Sequence, residues 1–120
     1  MGLRIFSFGF RYHEPPTADL LFDCRKKMPN PFWIESLRPY CGEDPRTSAF
    51  LSKQPDALAF VEHAINTIEE ALKERDDLVV AVGCTGGYHR SVFTSRRLYE
   101  YFKDKLPTTL EHLDIEKEGQ

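Results

Sequence analysis

The fold of this chain is decided by the stretch LVVAVGCTGGYHRSV, residues 78–92. It opens with a continuous apolar run, Leu78 to Val82, which is typical of a central parallel strand covered on both faces. Two adjacent glycines follow, and from Ser91 to Lys103 apolar residues recur at helical spacing. The stretch therefore predicts a strand, a tight loop and a helix in direct succession.

Further strands and helices are predicted on both sides of this stretch. Apolar residues recur every three or four positions over residues 55–74, which predicts a helix with Pro55 in its first turn. Strand patterns cover residues 3–10 and 18–24, and residues 109–115 indicate an edge strand. This order predicts an α/β fold, with one domain over residues 1–120 and a mainly parallel sheet of about four strands with flanking helices.

Residues 25–53 have no clear periodicity and contain four prolines. We expect either a long functional loop or a loop that contains a short helix near residues 47–52. If the first three strands are parallel, the loops after Phe10, Cys24 and Val82 gather at one edge of the sheet, where α/β proteins bind their ligands.

Composition excludes several classes of protein. The net charge is −3, and the excess of acidic residues lies in the second half of the chain, so a dedicated nucleic-acid binder is not indicated. No apolar run approaches the length of a membrane span, and the N-terminus lacks a signal-peptide layout, so we expect a cytoplasmic protein without a membrane partner. The three cysteines lack metal-ligand spacing, which predicts free thiols, no metal and no cofactor.

The loop after the central strand concentrates groups that bind anions. Gly86 and Gly87 allow successive backbone N–H groups to point inward, and the following helix adds unsatisfied N–H groups. The guanidinium of Arg90 can hold two phosphate oxygens. Hydroxyl and imidazole donors complete the set, from Thr85, Ser91 and His89. The alternative is a tight strand-to-helix turn with a free cysteine.

The same loop has a second interpretation. Cys84 and Arg90 are separated by five residues and followed by Ser91, which resembles the Cys-x5-Arg-Ser/Thr loop of cysteine-dependent phosphatases. There a thiolate, activated at a helix N-terminus, attacks phosphorus. Such an enzyme also needs a general acid, and the candidates near the first loops are His13, Asp19, Asp23 and Asp44.

A longer match covers most of the chain. The blocks FSFGFRY (residues 6–12), DCR (23–25), NPFW (30–33), LRPYCG (37–42) and GCTGGYHRSV (83–92) stand in the order found in one known family. The chain resembles the C-terminal domain of the RNase adapter protein RapZ. In full-length members a P-loop domain precedes this one. The present sequence has no GxxxxGK[ST], so we expect a stand-alone C-terminal domain without a Walker site.

The resemblance implies a binding function and no catalytic residue. The family's domain senses glucosamine-6-phosphate and binds a small regulatory RNA, which it presents to a ribonuclease. The expected partner is therefore a phosphorylated small molecule, or inorganic phosphate or sulfate. By position, Thr85, Gly86, Gly87, His89 and Arg90 would surround the anion, with Arg38 and Asn30 from the long loop. Cys84 and Ser91, in the same strand-to-helix loop, complete the set of expected ligand-binding residues.

Two features depart from the family. Phe32 stands where members often have His, so a donor is missing from the pocket. The chain also ends in an acidic segment, residues 114–120, where RNA-binding members carry Lys and Arg, and this weakens the expectation of RNA binding. Trp33 has two interpretations, as a platform for a sugar or base or as a core residue. A homo-oligomer is a further expectation.

Overall fold

Four strands form one parallel sheet in the computed structural model of the protein, which describes residues 2–117. The strands are β1 (Gly2–Gly9), β2 (Leu20–Asp23), β3 (Asp77–Cys84) and β4 (Thr108–His112), and their order across the sheet is β2-β3-β1-β4. The helices are α1 (Pro45–Leu51), α2 (Pro55–Leu72) and α3 (Arg90–Phe102). This confirms the predicted α/β class and the parallel sheet of four strands. Met1 and residues 118–120, the end of the acidic segment, lie outside the described residues.

The apolar run of residues 78–82 lies in β3, the strand between β2 and β1. Parallel pairing places Ile5 beside Val80 and Leu21 beside Ala81. Leu78, Val80 and Val82 of β3 lie in one core cluster with the buried residues of α2 and α3. On the opposite face of the strand, Ala81 is buried and Val79 is partly buried. The parallel direction also brings Gly9, Asp23 and Cys84, the last residues of three strands, to one edge.

Helix α2 begins at Pro55, as predicted, and ends at Leu72, two residues before the predicted end. Pro55 fits this position because the first turn of a helix leaves its N–H groups unpaired in any case. The buried residues are Ala57, Val61, Ala64 and Ile68. Small alanines on this face allow the helix to approach the core closely, while Leu58, which shares the predicted periodicity, is 39% exposed.

Helix α3 begins one residue earlier than predicted, and residues 90–95 at its N-terminal end are all buried. The helical spacing predicts Val92, Leu98, Tyr99 and Phe102 as buried positions. Val92, Leu98 and Phe102 are buried, together with Phe93, whereas Tyr99 is only partly buried. One side of this end packs on the sheet. The other meets residues 25–44, because Gly42 lies so close to α3 that an added Cβ would come within 2.4 Å of the amide nitrogen of Phe93.

The segment of residues 25–53 contains a 3-10 turn at Pro31–Trp33 and helix α1. The short helix expected near residues 47–52 is therefore present, but it begins at Pro45. Asp44 caps it, because its Oδ1 accepts a hydrogen bond from the backbone N–H of Arg46 at 2.9 Å. The buried Leu51 anchors α1 in the core.

Strand β4 is the predicted edge strand, shorter than the expected residues 109–115 and parallel to β1. Beyond it, the N–H of Leu113 still donates to the carbonyl of Ser7, and Asp114 is fully buried. No helix among residues 2–117 is long and apolar enough to cross a membrane.

Candidate anion-binding site

The loop between β3 and α3 lies against the end of β1. Two hydrogen bonds extend the ladder past the strands, from the N–H of Phe10 to the carbonyl of Cys84 and from the N–H of Arg11 to the carbonyl of Thr85. Gly87 has a φ of 69°, a conformation that L side chains rarely adopt. A Cβ on Gly9 would also come within 2.6 Å of the carbonyl carbon of Gly86. Glycines are therefore required on both sides of this contact.

Arg90, the first residue of α3, has a buried side chain that is 4% exposed. Its Nη1 donates to the carbonyl oxygen of Arg25 at 2.7 Å. Its Nε is fully buried and has no hydrogen-bond partner among the described residues. Burying a guanidinium is unfavourable unless its N–H groups are paired, so the unused donor marks a place for an acceptor.

A cavity of about 630 Å³ opens beside Arg90. Seven of the nine predicted ligand-binding residues line it: Asn30, Arg38, Cys84, Thr85, Gly86, His89 and Arg90. Gly87 and Ser91 do not. The structure thus brings together, around one cavity, the strand-to-helix loop and residues 25–44, which we call the middle segment. The contact of these residues with a ligand stays a prediction.

The middle segment is held to the loop by hydrogen bonds. Nε2 of His89 donates to the carbonyl oxygen of Arg38 at 3.0 Å, which fixes the proton on that nitrogen. The hydroxyl of Tyr88 donates to the carbonyl of Pro39, and the N–H of Gly42 donates to the carbonyl of Tyr88. The wall formed by residues 30–39 is therefore attached to the loop itself.

Asn30 and Arg38 have structural roles in this wall. Oδ1 of Asn30 accepts from the N–H of Phe32 at 3.1 Å and caps the 3-10 turn. Nε of Arg38 donates to the carbonyl of Phe32 at 2.9 Å, and its guanidinium lies 4.6 Å from the centre of the Phe32 ring. The same two residues line the cavity.

Ser91 is fully buried and contacts the loop cysteine. Sγ of Cys84 donates to Oγ of Ser91 at 3.1 Å, and Cys84 itself is 2% exposed. Ser91 is thus positioned to hold Cys84, whereas Gly87 is needed for the conformation of the loop. The contact with a ligand that the sequence predicts for these two residues stays a prediction.

None of the four candidate general acids lines the cavity. His13 pairs with Asp114, Asp19 accepts from the N–H of Val79, Asp23 pairs with Arg25 and Asp44 caps α1. The Arg25 guanidinium holds the pKa of Asp23 below its usual value, with a smaller contribution from Arg90. The carboxyl group that does line the cavity is that of Glu35, which the sequence did not single out.

Phe32, which the sequence placed at the pocket through the family resemblance, lines the cavity, but sequence reasoning missed Arg11, Pro39 and Tyr88. Trp33 also lines the cavity and is 77% exposed, so its interpretation as a core residue is wrong. The available signal was the block NPFW, in which a capping Asn and a proline precede two aromatic residues, a pattern for a turn that presents its side chains outward.

Asp114 packs against the loop at Gly87 and against the end of β1 at Gly9. Its fully buried carboxylate accepts from the N–H of Gly9 at 2.7 Å and lies 2.9 Å from Nε2 of His13 and 2.7 Å from Nζ of Lys117. Burial raises the pKa of Asp114, but the Lys117 ammonium, the Gly9 N–H and His13 together hold it below its usual value. A Cβ on Gly87 would come within 3.0 Å of the Cβ of Asp114, so this carboxylate is packed directly beneath the loop.

Sequence comparisons identify the family of this chain. A family model described as the RapZ C-terminal domain matches residues 1–116. The chain belongs to the RapZ C-terminal domain family. This confirms the resemblance that the sequence blocks indicated.

Similar proteins carry the name nucleotide-binding protein. The chain is 40% identical to the nucleotide-binding protein YvcJ of Bacillus subtilis (strain 168) over 98% of its own length and 41% of that protein. It is 44% identical to a nucleotide-binding protein of Actinobacillus succinogenes over 98% of the chain and 42% of that protein. The chain therefore spans about two fifths of the length of these relatives.

Proposed function

We propose that this domain is a binding module that holds a phosphorylated small molecule in the cavity, with the phosphate against the loop of residues 84–91. The observation that carries the proposal is the buried guanidinium of Arg90, whose Nε has no partner among the described residues and which lines the cavity. A phosphate oxygen supplies the missing acceptor and the compensating charge.

The surroundings of Arg90 support an anion rather than a neutral ligand. Arg90 stands at the N-terminus of a helix of 13 residues, where unpaired N–H groups and the helix dipole favour negative charge. The Gly86–Gly87 pair leaves the backbone N–H groups without side chains in front of them. Arg38 and Arg11, from two other segments, add positive charge to the wall.

The family gives this ligand a chemical class. The resemblance implies an amino-sugar phosphate, glucosamine-6-phosphate, and the names of the relatives are consistent with a phosphorylated ligand. An adapter role toward RNA or a protein, a cytoplasmic location and a homo-oligomer are further parts of the proposal. Of these, RNA binding is opposed by the composition of residues 114–120, which contain three acidic residues and one Lys.

The test is a thermal-shift titration with inorganic phosphate and with glucosamine-6-phosphate. Both should raise the melting temperature of the wild type, because a ligand that binds only the folded state stabilises it. Arg90→Ala should abolish the shift. Arg97→Ala is the matched control, since it removes the same charge from an exposed position on the same helix. Equal shifts in the wild type and Arg90→Ala would contradict the proposal.

A cysteine-dependent phosphatase is the second candidate. It is favoured by the presence of Cys84 and Arg90 on one cavity, with Sγ of Cys84 3.1 Å from Oγ of Ser91 at a helix N-terminus. In this case the protein should hydrolyse an aryl phosphate, Cys84→Ser should stop turnover, and Glu35→Gln should slow it if Glu35 is the acid. A folded wild type without turnover would dismiss this candidate.

A further inference from the structure

Two exposed aromatic residues form what we call the mouth of the cavity, and the loop of residues 84–90, which contains the charged Arg90, forms what we call its floor. Trp33 is 77% exposed and Phe32 is 46% exposed, and both line the same space as Arg90. Neither packs in the core, so their position is not explained by folding. Exposed aromatic side chains that line a cavity are typical of a binding site.

The 3-10 turn holds the two rings in a defined arrangement. Their centroids are 6.0 Å apart and their planes are nearly perpendicular, at 83°. The guanidinium of Arg38 lies over the Phe32 ring. Phe32 is thus already covered in part by a stacked partner, and Trp33 offers the larger uncovered face.

The cavity is also larger than a phosphate group requires. Its volume of about 630 Å³ lies in the range of sites that hold a complete cofactor or drug-sized molecule. A ligand that uses both the floor and the mouth carries a phosphate at one end and a flat ring at the other. An indole face binds a nucleobase by stacking, a contact available to any base.

We propose that Trp33 stacks on the base of a nucleoside monophosphate whose phosphate lies at Arg90. The inference rests on the proposed phosphate site. It adds a second class of ligand, which would compete with the amino-sugar phosphate for binding at Arg90. The sequence contains no Walker motif, so the phosphate would be bound through Arg90 and its loop and not through a P-loop. Glu35 and Asn30, which line the same cavity, offer an acceptor and an amide for the edge of the base.

The experiment uses Trp33 as its own reporter, because it is the single tryptophan of the chain. The wild type is titrated with AMP, ribose 5-phosphate, glucosamine-6-phosphate and adenosine. We expect AMP to quench the tryptophan fluorescence and to bind about tenfold more tightly than ribose 5-phosphate, the effect of one stacked base. Adenosine should bind more weakly than AMP.

Two variants of Trp33 separate stacking from other effects, with affinities measured by calorimetry. Trp33→Ala should reduce the affinity for AMP to that for ribose 5-phosphate and leave the latter unchanged. Trp33→Phe should recover part of the difference, since a ring remains. Arg90→Ala should weaken all phosphate-bearing ligands together.

The outcomes distinguish this inference from the proposed function. If ribose 5-phosphate and AMP bind equally well, or if Trp33→Ala leaves the preference for AMP intact, the stacking proposal is wrong while the phosphate site stands. If no phosphate-bearing ligand binds the wild type, both proposals fail.

Discussion

Gly87 lies directly against Gly9: a Cβ on Gly87 would come within 2.6 Å of the amide nitrogen of Gly9. This contact joins the loop between β3 and α3 to the end of β1. Because Gly87 also has a positive φ, a residue with a side chain would be strained in this position.

The first prediction is that Gly87→Ala destabilises the domain and disrupts the loop. The new methyl group meets backbone atoms of Phe8 and Gly9 and is disfavoured by the positive φ. We expect the free energy of unfolding to fall by about 1–3 kcal/mol, measured by urea denaturation. Gly2→Ala, whose Cβ would come no closer than 3.2 Å to its neighbours, is the control and should lose less. Equal losses would contradict this account of the loop.

The second prediction concerns Asp114 and pH. Its folded-state pKa is held below the usual value of an aspartate, so the stability that the carboxylate contributes is present above that usual value and is lost as pH falls through the folded pKa. Asp114→Asn should lower the free energy of unfolding by about 1–3 kcal/mol near neutral pH, because charged hydrogen bonds are lost.

Denaturation of the wild type and Asp114→Asn between neutral pH and strongly acidic pH measures this effect. The difference in the free energy of unfolding between the wild type and Asp114→Asn should become smaller in acid, because the wild-type carboxylate is then protonated and uncharged, like the amide. Asp104→Asn, at an exposed carboxylate, is the matched control and should behave like the wild type. A difference that does not change with pH would show that the charge of Asp114 does not contribute to stability, and would contradict this prediction.

The third prediction is that Phe93→Ala is among the most damaging changes in α3. Phe93 is 1% exposed and lies between the sheet and the middle segment. Removing a buried ring leaves a cavity, and the expected loss is about 3–5 kcal/mol in the free energy of unfolding. Leu21→Ala, at a side chain that is 48% exposed, should change it by less than about 1 kcal/mol. A loss of less than about 1 kcal/mol in the free energy of unfolding for Phe93→Ala would contradict the burial of this ring between the sheet and the middle segment.

The fourth prediction concerns thiol reactivity. Burial raises the pKa of Cys24 far above its usual value, so its thiolate is scarce and inaccessible in the folded protein. Cys41 is partly exposed. With a limiting alkylating reagent at slightly alkaline pH, mass spectrometry should find Cys41 modified first and Cys24 only after unfolding. Early modification of Cys24 would show that the core opens locally.

The strand-to-helix loop of the candidate site could be predicted from the sequence because its residues are neighbours in the chain. Gly86, Gly87 and Arg90 lie within five residues, and a buried strand precedes them, so their meeting point follows from local structure. The central strand, helices α2 and α3 and the edge strand were predicted for the same reason, since each has its own periodicity.

The opposite wall was not accessible in this way. His89 and Arg38 are 51 positions apart, and their hydrogen bond depends on how residues 25–44 fold back over α3. No periodicity in that segment specifies such a contact. The burial of Phe93 and the exposure of Trp33 have the same origin, because an aromatic side chain is compatible with either place until the tertiary fold is known.

The central claim is that Arg90 and the loop beside it bind a phosphate group. Its most direct test is a crystal structure of the protein grown with phosphate. We predict density for an anion in the cavity, within hydrogen-bond distance of the guanidinium of Arg90 and the backbone N–H groups of residues 85–89. A well-ordered cavity without an anion at saturating phosphate, or Nε of Arg90 paired with a protein group, would contradict it.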